Sequence, residues 1–449
     1  MTLRTPLVMG DNGLPIALPS TDLLPAAYPG EIVAPHPIRR RGSMIWQSSF
    51  DDGTWSVVQN CTIADDTTHV AAGSKSLALT ATGTVANEMR VQKTGLALDL
   101  SAANVWLRVR YYMSSTALAG TITSNPLLDV YLMDSANVIQ QVNLGLGNVT
   151  NPNPSDPTTP GATIPYAKVG WNAVEVPLSN YSWTNGSLNR ASIAKVAVGG
   201  YLANAQALTL DQIEFFTPAQ TRGKIVVGFD GAYSAQWQAV AFLEKQGKRA
   251  TFAVNPNYVG TAGHLTLAQL QELQARGHLI IGYAGGYYTP LWAYLTDAQK
   301  LDVVLRTRVW MAANGFLRGM RYLSISGISG WTANDDANLL GKYIDCVYAG
   351  FSDGLYIPSI MLNGNPRFNA VWFANTTTAS GFLPSENWAA VCARTASVKG
   401  TAIMWAHLNG TGGDTEAAWE PLITTALGAG LEFQTLDQYM RDEAVLSAA

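Results

Sequence analysis

Residues 223–284, GKIVVGFDGAYSAQWQAVAFLEKQGKRATFAVNPNYVGTAGHLTLAQLQELQARGHLIIGYA, decide the fold. GKIVVGF (223–229) is a short apolar run of the length of a buried strand. SAQWQAVAFLEKQG (234–247) places its apolar residues near helical spacing and stops on Gly247. RATFAV (249–254) predicts a second strand, and LTLAQLQELQAR (265–276) a helix with Thr266 at its N-cap and Gly277 past its end. HLIIGYA (278–284) predicts a third strand. TDAQKLDVVLRTRVWMAANG (296–315) then predicts a long helix from Thr296 to Gly315. Repeated βα units imply a parallel sheet with helices outside, open or closed into a barrel. Ligands in such folds sit at the carboxyl ends of the strands.

Upstream the period changes. From about residue 44 to 217, short alternating segments recur between turn signals: SLALTAT (76–82), VWLRVRYYM (105–113), LLDVYLM (127–133), WNAVEVPL (171–178), IAKVAVGGYL (193–202) and LTLDQIEFF (208–216). This pattern predicts a β-sandwich. In VWLRVRYYM, Val105, Leu107 and Val109 fall on one face and Arg108 and Arg110 on the other, which reads as a half-buried strand. The proline-rich NPNPSDPTTPGATIP (151–165) reads as a loop at one end of the sandwich.

Residues 1–43 carry Pro6, Pro15, Pro19, Pro25, Pro29, Pro35 and Pro37, which forbid a long helix and a central strand. They read as an extended arm that needs a partner surface. Arg39, Arg40 and Arg41 at its end are either a solvated linker or a contact to an acidic partner. The expected organisation is an arm over 1–43, a sandwich over 44–217 and an α/β unit over 222–449.

Composition bounds the function classes. The 449 residues hold 28 Lys+Arg against 32 Asp+Glu, a net charge of −4, and only 13% are charged. Soluble domains usually carry about 25%. An acidic chain with so few charges disfavours nucleic acid as a partner. No apolar run is long enough to span a bilayer, and the N-terminus shows no signal peptide, so synthesis in a cytoplasm is expected. Cys61, Cys346 and Cys392 are too scattered for disulfides or a zinc site and read as buried small hydrophobes.

Three resemblances follow. GDNGLPIALPSTDLL, near the start, resembles the opening of bacteriophage tail fibre and tail spike proteins, whose arms dock onto the virion. SSFDDGTW (48–55), AGSKSLALT (72–80), GWNAVEVPLS (170–179) and LTLDQIEFF make the second region similar to jelly-roll carbohydrate-binding modules. That likeness implies sugar binding. Trp46, Trp55, Trp106, Trp171 and Trp183 either stack on sugars or pack in the core. It also implies a structural calcium held by Asp51, Asp52 and Asp211, unless these are solvated turn residues.

FLEKQGKRATFAVNPNYVG (242–260) with LTLAQLQELQARGHLI (265–280) resembles the polysaccharide deacetylases, whose domain is an irregular (β/α) barrel. The likeness runs from about Lys224 through AGLEFQTLDQYM (429–440). In that family a Phe-Asp-Asp-Gly motif supplies a general base and a metal ligand, and two histidines complete the metal site. Here FDGAY (229–233) keeps Asp230 but puts Gly231 at the ligand position. The histidine pair falls on Tyr283 and Tyr287, or one residue later on Ala284 and Tyr288. The family's arginine motif maps onto Arg321, and its late strand keeps His407. Glycine has no ligand atom and neutral phenols are poor substitutes for imidazole, so neither barrel metal nor family-type deacetylation is expected. The literal Phe50-Asp51-Asp52-Gly53 lies among sandwich strands and is a coincidence of letters.

The expected mouth therefore gathers Asp230, His407 and Arg321 as candidate chemical residues. Tyr283, Tyr287, Tyr288, Trp405 and Trp331 are the candidate sugar-stacking residues. Asp230 and His407 are either an acid–base pair or a retained structural pair. Asp335, Asp336, Asp353 and Glu386 read as loop carboxylates, and His36, His69, His264 and His278 show no ligand spacing. The leading expectation is a trimeric virion tail spike or fibre, joined to other tail proteins by its arm, that recognises host surface polysaccharide without cutting it. A metal-independent depolymerase or deesterase and a structural tail component are the alternatives.

Overall fold

In the computed structural model VWLRVRYYM becomes a strand whose Leu107, Val109, Tyr111 and Met113 enter the largest apolar core. The structure describes residues 7–9, 15–17, 37–39, 41–83, 88–114, 128–143, 170–178, 183–284, 287, 292–325, 339, 342–344, 346–348, 360–362, 365–367, 371–372, 388–408, 416–442 and 444–446. Tyr288, Trp331, Asp335, Asp336, Asp353, Glu386, His36 and the 151–165 loop lie outside them.

The arm is not strand-free. β1 (Leu7–Met9) and β2 (Pro15–Ala17) form a hairpin, and β3 (Pro37–Arg39) later pairs with the last strand of the chain. Pro15 and Pro37 are each the first residue of their strand, a position where proline is tolerated.

The sandwich comprises β4 (Arg41–Ser48), β5 (Ser56–Gln59), β6 (Cys61–Asp66), β7 (Ser76–Ala81), β8 (Met89–Lys93), β9 (Trp106–Met113), β10 (Asp129–Asp134), β11 (Ile139–Asn143), β12 (Gly170–Pro177), β13 (Trp183–Thr184), β14 (Ile193–Gly200) and β15 (Ala207–Pro218). One antiparallel sheet runs β13-β11-β10-β14-β8-β5. The other contains β12-β9-β15-β7-β6, with β4 also on β15. Between them lie Leu79, Val91, Val109, Val130, Leu132, Val198 and Phe215, with Cys61 at the margin.

The second face of β9 departs from the half-buried reading. Arg108 is fully buried, donating from Nε to Glu175 at 2.5 Å and from Nη1 to Glu214 at 2.6 Å. Trp106 on the same face donates from Nε1 to the Val398 carbonyl at 2.9 Å and packs with Phe216 and Val398. The α/β unit covers this face. Alternation predicts which residues share a face; it does not tell whether that face meets water.

The α/β unit comprises β16 (Lys224–Asp230), α1 (Gln236–Lys245), β17 (Thr251–Val254), α2 (Leu267–Ala275), β18 (Leu279–Ala284), α3 (Asp297–Ala313), β19 (Tyr322–Ile325), β20 (Cys346–Tyr348), β21 (Ile360–Leu362), β22 (Asn365–Arg367), β23 (Val371–Trp372), α4 (Trp388–Ser397), β24 (Thr401–Ala406), α5 (Glu416–Gly428), β25 (Glu432–Gln434), α6 (Leu436–Asp442) and β26 (Ala444–Leu446). Thr266 and Thr296 each close a capping box with a glutamine three residues on, which satisfies amides at the helix starts.

Its parallel strands run β23-β24-β16-β17-β18-β19-β20-β22, with β25 beside the amino half of β16. Among the described residues no pairing joins the ends of this path into a closed barrel. Instead β22 pairs with β21 and β21 with β12, so one hydrogen-bonded path runs from this sheet into the sandwich. Ile225, Val227, Phe229, Phe252 and Met404 pack against α1, α2, α4 and α5 on one face. On the other, Val226, Ala253, Leu279, Ile281 and Trp405 pack with Leu436 and Tyr439 of α6. Among the described residues no helix is long and apolar enough to cross a membrane.

Candidate functional site

Parallel register fixes what meets at the carboxyl ends of the strands. Phe229 pairs with Ala406, so the next residues, Asp230 and His407, follow side by side. Val254 pairs with Gly282 and Tyr283 with Ser324, which brings the ends of β17, β18 and β19 to the same rim. Asp230 is 4% exposed, with the Ser324 hydroxyl donating to Oδ1 at 3.4 Å and His407 Nε2 at 3.9 Å from Oδ2. Gln236 at the start of α1 ties the two strand ends by donating to the Asp230 carbonyl at 2.8 Å and the His407 carbonyl at 2.6 Å.

Burial governs the protonation of this pair. It pushes the Asp230 carboxyl up to about 8, against the smaller opposing pull of Ser324 and the Gly231 amide. It also holds His407 below the ordinary imidazole value. At neutral pH Asp230 is a neutral acid that can donate a hydrogen bond, and His407 is a neutral ring.

Gly231 is dictated locally. Its φ of +83° is a left-handed conformation, and an added Cβ would lie 2.6 Å from the Tyr233 ring. A divalent cation of the kind the deacetylase resemblance implies does not fit this donor set. The ligand carboxylate is replaced by a glycine that the backbone requires, and Tyr283 supplies a phenol whose ionisation burial disfavours. Among the described residues no group of three or more His, Cys, Asp and Glu side chains could hold a metal ion.

The other sequence candidates are distributed unevenly. Tyr283 is half-buried beside Asp230 and packs toward Ile281 and Trp405. Tyr287 packs with Ala284, Trp292, Val303 and Leu323, away from the Asp230 rim. Trp405 is fully buried: Gly228 on the adjacent strand has no side chain, and the indole fills that space. It presents no face to a ligand. Arg321 immediately precedes β19, whose far end carries Ser324, so it lies at the amino end of the sheet and not at the mouth.

Residues read as unremarkable from the sequence build the mouth instead. Tyr233 and His264 form an isolated bridge and stack at 4.9 Å, Tyr258 stacks on His264 at 5.1 Å, and Tyr233 meets His407 edge-on at 6.0 Å. The available signal was their position in the loops after the first two strands of the unit. His278, by contrast, is core: Nδ1 accepts from the Ala250 amide at 3.0 Å, Nε2 lies 3.0 Å from Glu244, and burial lowers its pKa to about 4.

On the sandwich, Asp51 accepts from the Ser74 and Lys75 amides, Asp52 pairs with Lys93, and Asp211 accepts from the Ala71 and Ala72 amides. Asp51 and Asp211 thereby anchor the 71–76 segment. Trp55 is buried, Trp46 stacks on Phe215 at 5.8 Å, and Trp171 meets Tyr112 edge-on, with His69 stacked on the same Tyr112 at 3.8 Å. A second polar cluster lies on the six-stranded sheet. The Arg90 guanidinium sits 3.8 Å from the Tyr131 ring centre and pairs with Glu88, and the Tyr131 hydroxyl donates to Glu88 at 2.7 Å. Burial raises the neighbouring Asp129 to about 7.

No family model matches the chain, and no curated protein matches it. Among solved structures, it is similar to the CBM22-1 xylan-binding domain of Paenibacillus barcinonensis Xyn10C: 12% identity and TM-score 0.24, over 40% of this chain and 97% of that one. It is also similar to a family 4 acetyl xylan esterase of Clostridium thermocellum: 17% identity and TM-score 0.32, over 48% and 90%. A family 4 carbohydrate esterase of Bacillus anthracis gives 16% identity and TM-score 0.33, over 49% and 83%. No residue role is carried over from likenesses of this size.

Proposed function

We propose that the protein recognises polysaccharide at the carboxyl end of its parallel sheet, without metal and without cleaving the chain. The observation that supports this is the mouth itself. A buried, neutral Asp230 lies beside Ser324 and His407, and Tyr233, His264, Tyr258 and Tyr283 surround it with aromatic surface. Aromatic faces and uncharged hydrogen-bonding groups suit sugar rings better than they suit ions. The proline-rich arm supports placing this activity in a virion tail spike or fibre, trimeric and joined to other tail proteins, that engages a host cell surface. Light scattering on the full chain tests the trimer, and a monomer would sink it. A panel of bacterial capsular polysaccharides and lipopolysaccharides tests recognition. The expected result is binding to at least one member that Asp230→Ala loses, and a wholly negative panel would overturn the reading.

One observation favours a second reading, a metal-independent depolymerase or deesterase. Burial moves the two ionisations of the Asp230 and His407 pair in opposite directions, which leaves an acid and a base 3.9 Å apart. Release of reducing ends or acetate from a bound glycan, abolished by Asp230→Asn, would establish it. Product formation unchanged in that variant would exclude this pair.

A further inference from the structure

We propose that the mouth carries a saccharide subsite made by the exposed face of Tyr258 and the side-chain amide of Asn255, which takes one neutral pyranose ring. This rests on the polysaccharide reading above and gives it a defined contact. β17 ends at Val254, and Asn255 begins a single 3₁₀ turn, Pro256–Tyr258. The Asn255 Oδ1 accepts the Asn257 amide at 3.0 Å, which fixes that atom as the oxygen and the other as the amide nitrogen. Asn255 is 1% exposed, and among the described residues its Nδ2 has no hydrogen-bond partner. A buried donor left unmade costs about 1–3 kcal/mol, so its retention calls for an explanation. A ligand oxygen supplies one: a hydroxyl or an N-acetyl carbonyl accepting from Nδ2.

The turn brings the second element to the same place. Side chains three apart in a 3₁₀ turn eclipse, so Tyr258 stands over the side of the turn on which Asn255 lies. Strand alternation puts Asn255 on the sheet face of Thr251 and Ala253, the face that also carries Ile281 and Tyr283. Tyr258 is 45% exposed, yet its position is set from below. One face of the ring rests on His264, which rests on Tyr233, and the Thr261 hydroxyl donates to the Tyr258 carbonyl at 2.7 Å. The outer face is left as a flat platform, and the column behind it leads through Tyr233 to His407 and Asp230. A pyranose seated here has its C–H face on the outer face of Tyr258 and an oxygen on Asn255, one column of rings away from that pair. An aromatic face paired with an amide donor favours a neutral ring.

Isothermal titration of the full-length protein with xylohexaose and with chitohexaose, two neutral probes, tests this. Tyr258→Ala and Asn255→Ser should each weaken binding by about tenfold or more, and Tyr258→Trp should retain it. Serine keeps an oxygen to cap the turn, and Tyr258 is exposed, so thermal midpoints should stay at the wild-type value. Wild-type affinity in both Tyr258→Ala and Asn255→Ser overturns the subsite while recognition at Asp230 stands on its own panel. Failure of the wild type to bind either hexaose overturns the neutral-ring assignment even where that panel is positive. A negative panel removes the polysaccharide reading itself.

Discussion

On the sandwich, the Arg108 guanidinium lies buried between Glu175 and Glu214; at the mouth of the parallel sheet, the buried Asp230 lies beside the neutral ring of His407. Both sites hide acidic groups from water. In the first, each carboxylate has the Arg108 guanidinium in hydrogen-bonding contact. In the second, no described residue supplies a charge in compensation, so the carboxyl keeps its proton. The lesson is that burial alone does not mark function. A buried polar group whose partners are its own neighbours belongs to the scaffold, as with Glu88, Arg90 and Tyr131. A group left with an unmet or adaptable bond, such as Asp230 or Asn255, is where a ligand can act.

The contrast can be broken most strongly at Arg108. Arg108→Met leaves Glu175 and Glu214 buried without their cation, and the expected loss is about 3–5 kcal/mol, read by urea denaturation. A loss near zero would mean that these carboxylates are solvated and the joint between the two units is loose. Next comes Gly231→Asp, which restores the letter that the deacetylases carry. The left-handed backbone and the Tyr233 ring oppose any side chain there, so a destabilisation of about 1–2 kcal/mol is expected, with no zinc retained after dialysis. A stable variant holding stoichiometric zinc would show that the mouth is still a metal centre in waiting.

A further effect is one of slope. The folded Asp230 keeps its proton up to about 8 while the unfolded carboxyl releases it near 3.8, so between these values the folded state binds more protons and stability falls as pH rises. The contribution is at most about 1.4 kcal/mol per pH unit. Asp230→Asn, which mimics the neutral acid, should remove it. The depressed His278 works in the opposite sense, favouring the fold as pH rises from about 4 toward 6.5, and it is common to both proteins. Denaturation midpoints of wild type and variant across about pH 5 to 8 should therefore converge at low pH and separate at high pH, with the variant the more stable. Parallel curves would place a compensating charge beside Asp230.

Much of this was legible in the letters because it depends on near neighbours. Thr266 and Thr296 each find a cap partner three residues on, and Gly277 ends α2 with a φ of +94°. The adjacency of Asp230 and His407 also follows, once β16 and β24 are taken as parallel neighbours. Arg321 misled because a motif match carries no strand register, and the register puts Ser324 at the rim in its place. The column of Tyr233, His264 and Tyr258 was missed because histidines were tested for metal spacing, whereas His264 serves as a spacer between two rings.

By itself the sequence determined the periodicities, and with them two kinds of layered structure, the helix limits, and the glycine and phenol at Gly231 and Tyr283, where the deacetylase resemblance would put metal ligands. Those are properties of single residues and of residues within a turn of one another. Only the tertiary structure decided that the Arg108 face is buried by the second unit, that Trp405 fills the space over Gly228, and that Asn255 keeps a donor unmet beside an exposed Tyr258. Each depends on which surface comes to rest on which. Burial and the supply of hydrogen-bond partners are set by chain segments far apart in sequence, and no local pattern records them.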